Sequence, residues 1–349
     1  MNFQNIAIDP GFGAFKAGAV FSGETINTTA LRSVVAAGNI KESYLNTGLN
    51  SKKVVSDNPL TVEFDGMSYL VGNNVHRYRD PVERLDFQRL SDGPELRALM
   101  YGTLWQLLGK GFHPYVNILI GLPVQVQNNK SLATTTRNSL RKWLVGKHRF
   151  MVNNEAVSIQ VHQIKTFAQP LGTLFNWGED ITGQWTQQVL PTAKFAVADG
   201  GFNTFDPFVI ENAQVLDRYS AGDNLGMRRA CSFLKQSVRE RYGVKISLHE
   251  ADAYLHADTP VLSCAGGDFD LSPVCEMAVN DLYGALIGYL EEIWGDGLQF
   301  SRTFMVGGEM AFLRDRLLPS YPHAVIVPDA QLSNVIGLTK HAQRPALWK

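Results

Sequence analysis

Apolar residues cluster into short strand-length runs and a few longer helical patterns. A run at residues 5–9 ends in Pro10-Gly11-Phe12-Gly13, and a second run at 16–21 returns from that turn. Two such runs around a glycine-rich tip predict a β-hairpin that opens the protein. Periodicity is weak over about 39–92, with short strands at 60–64 and 68–71 and a charged stretch at 76–89. That pattern predicts a small insertion on the first half. After Asp92-Gly93-Pro94, the residues Leu96, Leu99, Met100, Thr103, Leu104, Leu107 and Leu108 recur at helical spacing until Gly109 and Gly111. Proline just inside the start and glycine just past the end mark a core helix.

A buried strand at 117–120 then ends in Gly121-Leu122-Pro123-Val124, followed by a polar helix over about 129–144 and a strand pair at 148–152 and 157–161. Residues 164–172 lead into a polar loop at 176–188 that holds Trp177 and Trp185, both expected to be exposed and to offer a partner contact. The pattern then restarts: a strand at 195–198, an acidic glycine turn at 199–206 and a returning strand at 208–210. Helices are predicted from about 224 to 242 and from 273 to 294, the latter with Ser272 as N-cap and Pro273 at the first helical position. A strand at 304–306 runs into Gly307-Gly308, one at 324–327 follows, and a C-terminal helix starts near Leu332. Both halves open with strand, acidic turn, glycines and strand, a distant internal duplication that predicts two similar α/β lobes facing a cleft.

Length agrees, since 349 residues exceed what one hydrophobic core usually serves. With 45% apolar and 19% charged residues, disordered, collagen-like and coiled-coil chains are excluded. Lys and Arg total 32 against 33 Asp and Glu, so the chain has no overall electrostatic footprint for nucleic acid or an acidic membrane. The densest basic group, Arg228, Arg229, Lys235, Arg239 and Arg241, reads as a solvated helix face. Three cysteines at spacings that fit neither zinc nor a disulfide framework point to a reducing cytoplasm. No basic leader or apolar run of about 18 residues is seen, so neither export nor membrane insertion is expected. His249 and His256 lack zinc spacing and read as surface helix residues.

The candidate chemistry lies in the two acidic turns. Glycines at a strand end let backbone N–H groups approach a phosphate, and the carboxylate can hold a hydrated Mg²⁺. Asp9-Pro10-Gly11-Phe12-Gly13 with Lys16 has these parts, although alone it reads more readily as an ordinary turn, since glycine turns between strands are common. The second turn, Asp199-Gly200-Gly201-Phe202-Asn203-Thr204-Phe205-Asp206, spaces two carboxylates seven residues apart and adds a hydroxyl. Two such turns, one per lobe, suit a nucleotide's phosphates better than either alone.

These segments, in this order, resemble the actin-like ATPase superfamily. Asp9 to Lys16 is similar to its first phosphate loop, D-x-G-x-x-x-x-K, and Asp199 to Asp206 matches its second, D-x-G-x-x-T-x-D. Val306-Gly307-Gly308 resembles the adenosine turn, Ala168-Gln169-Pro170-Leu171-Gly172 the first lobe-connecting segment, and residues 327–337 the second. Gly121-Leu122-Pro123-Val124, Gly222-Asp223-Asn224-Leu225-Gly226 and Ser333-Asn334-Val335-Ile336-Gly337 resemble the plasmid-segregation ParM or StbA group. Pro10, Phe12 and Glu309 depart from the common pattern: the first loop's grip on phosphate and the adenine contact around Glu309 are where the likeness is weakest.

The resemblance implies an α/β actin-like ATPase fold of two RNase H-like lobes around a nucleotide cleft, with the first lobe at 1–165, the second at 166–330, and a C-terminal helix at 331–349 returning to the first. It implies that Asp9 and Asp199 organise Mg²⁺, that Lys16 neutralises phosphate charge, and that Gly11, Gly13, Gly200, Gly201, Asn203 and Thr204 hold the phosphates of ATP or GTP. Gln169 would orient the attacking water, against a plain surface residue before a proline turn. Asp206 either reaches the metal's second shell or pins its hairpin. Asn224 and Gly226 either touch ribose or simply start a helix; Gly307, Gly308 and Glu309 either border adenine or end a strand. The implied function is a cytoplasmic filament ATPase in plasmid or phage DNA segregation, self-assembling, reaching DNA through an adaptor and touching neither nucleic acid nor membrane itself. A sugar or small-metabolite kinase and a non-hydrolysing scaffold are the competing readings; a kinase needs a carboxylate base where Gln169 stands.

Overall fold

The computed structural model describes residues 3–22, 24–40, 58–82, 91–188 and 193–349. Much of the expected insertion, 41–57 and 83–90, lies outside the described residues. The chain forms two compact units, one of residues 1–122, 126–187 and 334–349, the other of 123–125 and 188–333. Residues 166–187, expected to open the second lobe, therefore belong to the first unit.

In the first unit, β1 (Gln4–Pro10), β2 (Ala14–Phe21) and β3 (Thr25–Arg32) form an antiparallel meander. β1 then pairs in parallel with β7 (Gly111–Leu122), and β7 with β9 (Glu155–Ala168). The sheet continues antiparallel through β8 (Gly146–Val152), β5 (Leu60–Phe64), β6 (Met67–Val71) and β4 (Val35–Ala37). The second unit repeats the theme. β12 (Gln214–Val215), β11 (Phe205–Glu211) and β10 (Phe195–Gly200) are antiparallel, and β10, β15 (Arg302–Val306) and β16 (Val325–Ile326) run parallel. A three-strand meander extended by two parallel strands occurs in both, which is the topological form of the duplication.

Helix α1 (Pro94–Leu108) buries the face its spacing predicts, with Leu96, Leu99, Met100 and Leu104 at most 2% exposed. Tyr101 stacks on Phe150 of β8 at 4.2 Å, and its hydroxyl meets His148 Nδ1 at 2.9 Å. Burial pushes the Tyr101 phenol up to about 12 and pulls the His148 imidazole down. After the short α2 (Val124–Asn128), α3 (Lys130–Leu144) begins at a true cap: Asn129 Oδ1 accepts from the Leu132 N–H at 2.9 Å. Residues 169–178 form a further helix, α4 (Gln169–Gly178), where the sequence suggested a connecting turn.

In the second unit, α5 (Arg228–Tyr242) starts four residues later than its expected start at Asn224, because 222–226 lie against the preceding turn. The capping box of α6 (Leu248–Leu255) uses Ser247 and Glu250. Past the β13 (Val261–Cys264) and β14 (Gly267–Asp270) hairpin comes α7 (Ser272–Trp294). Ser272 is its first helical residue, not the expected N-cap; Asp270 Oδ1 accepts from the Ser272 N–H at 2.8 Å and hydroxyl at 2.6 Å, a carboxylate being the stronger acceptor. Helices α8 (Gly308–Phe312) and α9 (Arg314–Ser320) follow β15. The C-terminal helix is α10 (Ser333–His341). Among the described residues no helix is long and apolar enough to cross a membrane.

Within the first unit α10 crosses α4 at glycine contacts. A Cβ on Gly337 would lie 2.5 Å from Asn176 N and 2.6 Å from Gly172 C. The crossing is closed by Thr173 Oγ1 donating to Asn334 Oδ1 at 2.8 Å and by a buried pair, His341 Nδ1 with Glu179 Oε1 at 2.9 Å. Trp177 and Trp185, expected to be exposed, are half-buried and meet edge to face at 5.8 Å, Trp185 lying against Gly178.

Candidate functional site

Antiparallel register between β1 and β2 places Asp9 directly opposite Lys16. Lys16 Nζ lies 2.9 Å from Asp9 Oδ2, and Asp9 is 2% exposed. The other oxygen, Oδ1, accepts from Gln169 Nε2 at 2.6 Å. Gln169 is the first residue of α4 and is buried, so the surface-residue reading is overturned. An ionised carboxylate only accepts, which fixes the amide nitrogen toward Asp9 and leaves Oε1 as the amide's acceptor. Gly121, at the end of β7, makes the room: a Cβ there would sit 2.9 Å from Gln169 Cγ.

The turn itself is held by a residue that the sequence reading missed. Ser33 Oγ donates to Gly11 O at 2.6 Å and the Ser33 N–H to Gly13 O at 3.0 Å. Ser33 is 5% exposed, and its only sequence signal is a polar residue between the apolar Leu31 and Val34-Val35. Each carbonyl thus gives a lone pair to Ser33, which lessens its repulsion of an anion.

The second unit reaches the same result by other means. Asp199 of β10 faces Asp206 of β11 across the hairpin. The Met227 N–H donates to Gly201 O at 3.1 Å and the Arg228 N–H to Phe202 O at 2.7 Å, so the entry of α5 occupies the carbonyls of this turn. Gly226 permits the approach, since its Cβ would lie 2.6 Å from Gly201 O. Asn203 Nδ2 reaches the exposed Asn224 Oδ1 at 3.4 Å, and Thr204 Oγ1 donates to Asp206 Oδ2 at 2.9 Å. Gly307 (φ 91°) brings the end of β15 against β10; a Cβ would be 2.7 Å from Gly200 C and 3.0 Å from Asp199 Oδ1. Space around Gly308 is open.

Three carboxyls converge here, those of Asp199, Asp206 and Glu309. Asp206 is 2% exposed, and burial, reinforced by the charge of Asp199, pushes its carboxyl up to about 8 against the pull of the Thr204 hydroxyl. Glu309, 3% exposed, tucks its carboxyl beside Gly200; burial and then Asp199 raise it well above the usual range, and neither oxygen has a hydrogen-bond partner. Asp206 therefore holds its proton at neutral pH, and the burial of Glu309 favours its protonated form. The contacts of Asp206, with Thr204 and against Gly222, are those of a hairpin pin.

Among the described residues no group of three or more His, Cys, Asp or Glu side chains is arranged to hold a metal ion. The donor set nevertheless suits one cation, Mg²⁺, which keeps most of its waters and takes one or two hard carboxylates. Each Asp9 oxygen has one protein donor, so lone pairs remain to accept from metal-bound waters. The basic residues of α5 lie on a solvated face, Arg229 pairing with Asp281 at 2.7 Å.

Residues 7–172 match the family model of the actin-like proteins' N-terminal domain. No curated protein matches the chain. Among solved structures, it resembles a ParM from Clostridium botulinum in a 15-stranded filament, with 21% identity over 98% of this chain and 99% of that one and a TM-score of 0.77. An archaeal actin homologue in complex with ADP gives 16% identity over 98% and 99%, TM-score 0.70. Bacillus thuringiensis ParM with ATP gives 13% over 98% of each chain, TM-score 0.63.

Proposed function

We propose that this chain, an actin-like protein in fold whose residues 7–172 form an actin-like N-terminal domain, is a nucleotide-hydrolysing filament protein of plasmid or phage DNA segregation. The observation that carries the nucleotide reading is the matched treatment of the two glycine turns. In each, carbonyls are tied back by donors of the same unit, Ser33 in one and the 227–228 backbone in the other; the Gly11 and Gly201 N–H groups are themselves taken up, by Asp9 O and Thr204 O at 2.9 Å each, so what a turn can offer a ligand is the N–H groups of its other residues. Phosphate is the anion such turns accept, and the Asp beside each turn would be repelled by phosphate unless a cation intervenes.

Each turn then serves as a phosphate-binding element for ATP or GTP. Asp9 and Asp199 would hold Mg²⁺ through its waters, and the ion would supply charge neutralisation at the phosphates. Lys16, held by Asp9, is the chain's own cation at the first turn. Gln169, anchored through its nitrogen, uses Oε1 to accept from the attacking water and orient it. An amide is no base, so positioning is all it contributes and hydrolysis is slow in isolated subunits. Asn203 and Thr204 order the second turn, Asn224 and Gly226 border the ribose, and Gly307 and Gly308 border the base. Glu309 supports the turn from beneath, as its burial against Gly200 favours. Filaments form in the cytoplasm by head-to-tail self-association and reach DNA through an adaptor, because a net charge of −1 carries no footprint for direct binding.

The test is light scattering of purified protein over a concentration series with Mg-ATP or Mg-GTP, phosphate release being followed in the same sample. A critical concentration with release lagging assembly is expected. Linear release stimulated by sugars, without scattering, would establish the kinase reading; nucleotide bound without any release would establish the scaffold.

A further inference from the structure

The outer face of the first unit's sheet carries a groove of about 740 Å³ across β5, β6, β8 and the first residues of β7 and β9. Its walls are apolar, with Phe112 60%, Met67 54% and Met151 37% exposed. Arg149 lines it, and Lys147 Nζ stands 5.8 Å from the Phe112 ring. Neither cation has an ion-pair partner among the described residues, and Glu63 is the acidic residue in the lining. Bulky apolar side chains at such exposure, rimmed by cations, mark an interaction surface.

The second unit carries a feature of opposite form. Leu298, 70% exposed, stands at the tip of a loop between α7 and β15. That loop is tightly bonded: Tyr321 Oη donates to Gly295 O at 2.7 Å, Gln299 Nε2 to Trp294 O at 2.8 Å, and the Leu298 N–H to Asp296 Oδ1 at 3.1 Å. Its flank is acidic. Glu291 and Asp296 are exposed and lie near enough to Tyr321 to add to the burial that pushes its hydroxyl up to about 12. Neither has an ion-pair partner among the described residues. A pre-ordered loop loses little conformational entropy on docking, which makes Leu298 an economical anchor.

We infer that the groove receives the Leu298 loop of a second copy, Leu298 entering among Phe112, Met67 and Met151 while Asp296 and Glu291 meet Arg149 and Lys147. The inference rests on the filament reading and supplies its contact. Opposite charge and opposite shape lie on different units of one chain, so the contact is heterologous, and each copy that docks leaves a free knob and a free groove.

Leu298→Asp and Phe112→Asp each change an exposed side chain and should fold as the parent does, checked by thermal melting. Pelleting with Mg-ATP over a concentration series should show the critical concentration raised at least about tenfold in each variant. A mixture of the two retains one intact knob and one intact groove, and should give pairs in sedimentation velocity and no filaments. Arg149→Glu should also impair pelleting, and Glu291→Arg in the same chain should restore part of it. If the parent pellets and both variants pellet at the parent's critical concentration, the contact is wrong while the filament reading stands. Two defective variants whose mixture stays monomeric would show that both surfaces matter but do not meet, which also overturns the pairing. A parent that never pellets removes the filament reading and the contact with it.

Discussion

Gly337→Ala pits two known effects against each other. Alanine is the better helix former by about 1 kcal/mol, so on propensity alone the change stabilises α10. The crossing with α4 opposes this. The new Cβ would lie 2.5 Å from Asn176 N and 2.6 Å from Gly172 C, with Gly172 O closer still, and all three are backbone atoms that no side-chain adjustment can clear. To regain ordinary contact α10 must withdraw by more than an ångström. That withdrawal stretches the 2.8 Å Thr173–Asn334 bond, the 2.9 Å His341–Glu179 pair and the Phe175–His341 stack at 3.9 Å. Overpacking costs about 1–3 kcal/mol and a weakened buried hydrogen bond about 1 more. The net expectation is a loss of about 1–3 kcal/mol, or a melting temperature lower by roughly 2–12 °C for a unit of this size. Gly288→Ala on α7 is the control, with nothing within 4 Å of its Cβ, and should match or slightly exceed the parent. Differential scanning calorimetry measures both. A Gly337→Ala protein that melts with or above the parent would show that the close crossing is not a constraint on stability.

Three other outcomes are expected. Gln169→Ala should lower phosphate release about 10²-fold at saturating nucleotide while nucleotide affinity, read by fluorescence anisotropy, changes little; an equal loss in both would make Gln169 a binding group. Asp206 keeps its proton up to about pH 8 when folded but loses it near 3.8 when unfolded, so it costs stability progressively as pH rises from about 4 to about 8. Asp206→Asn should remove that slope, and urea midpoints of variant and parent that run parallel across this range would contradict the assignment. His148, held below 6.5 by burial, contributes stability that is complete above pH 6.5 and falls as acidity charges the unfolded state first. Its imidazole resonances should therefore not titrate near 6.5, and titration at that value would show an exposed ring.

Hydrophobic spacing was enough to locate α1, α7 and the two opening hairpins, and the aspartates at their turns, because these depend on neighbours two to four residues apart. The register Asp9 against Lys16 was likewise implicit, since a hairpin with a tip of known length pairs the residues flanking it. Ser33, which holds the first turn from 22 residues away, had no local pattern to declare it. Neither did the helical character of Gln169-Pro170-Leu171-Gly172, where proline reads as a stop although it suits a helix's first turn.

What the sequence determined by itself is the set of elements and the chemistry available at two acidic glycine turns, both products of short-range spacing. Tertiary structure alone decided the states of those groups: Asp9 with both oxygens engaged, Gln169 buried with its amide orientation set, and the Asp206 and Glu309 carboxyls raised by burial. Charge state and hydrogen-bond geometry depend on burial and on partners as far as 160 residues apart in the chain, and these come into being only when the chain has packed.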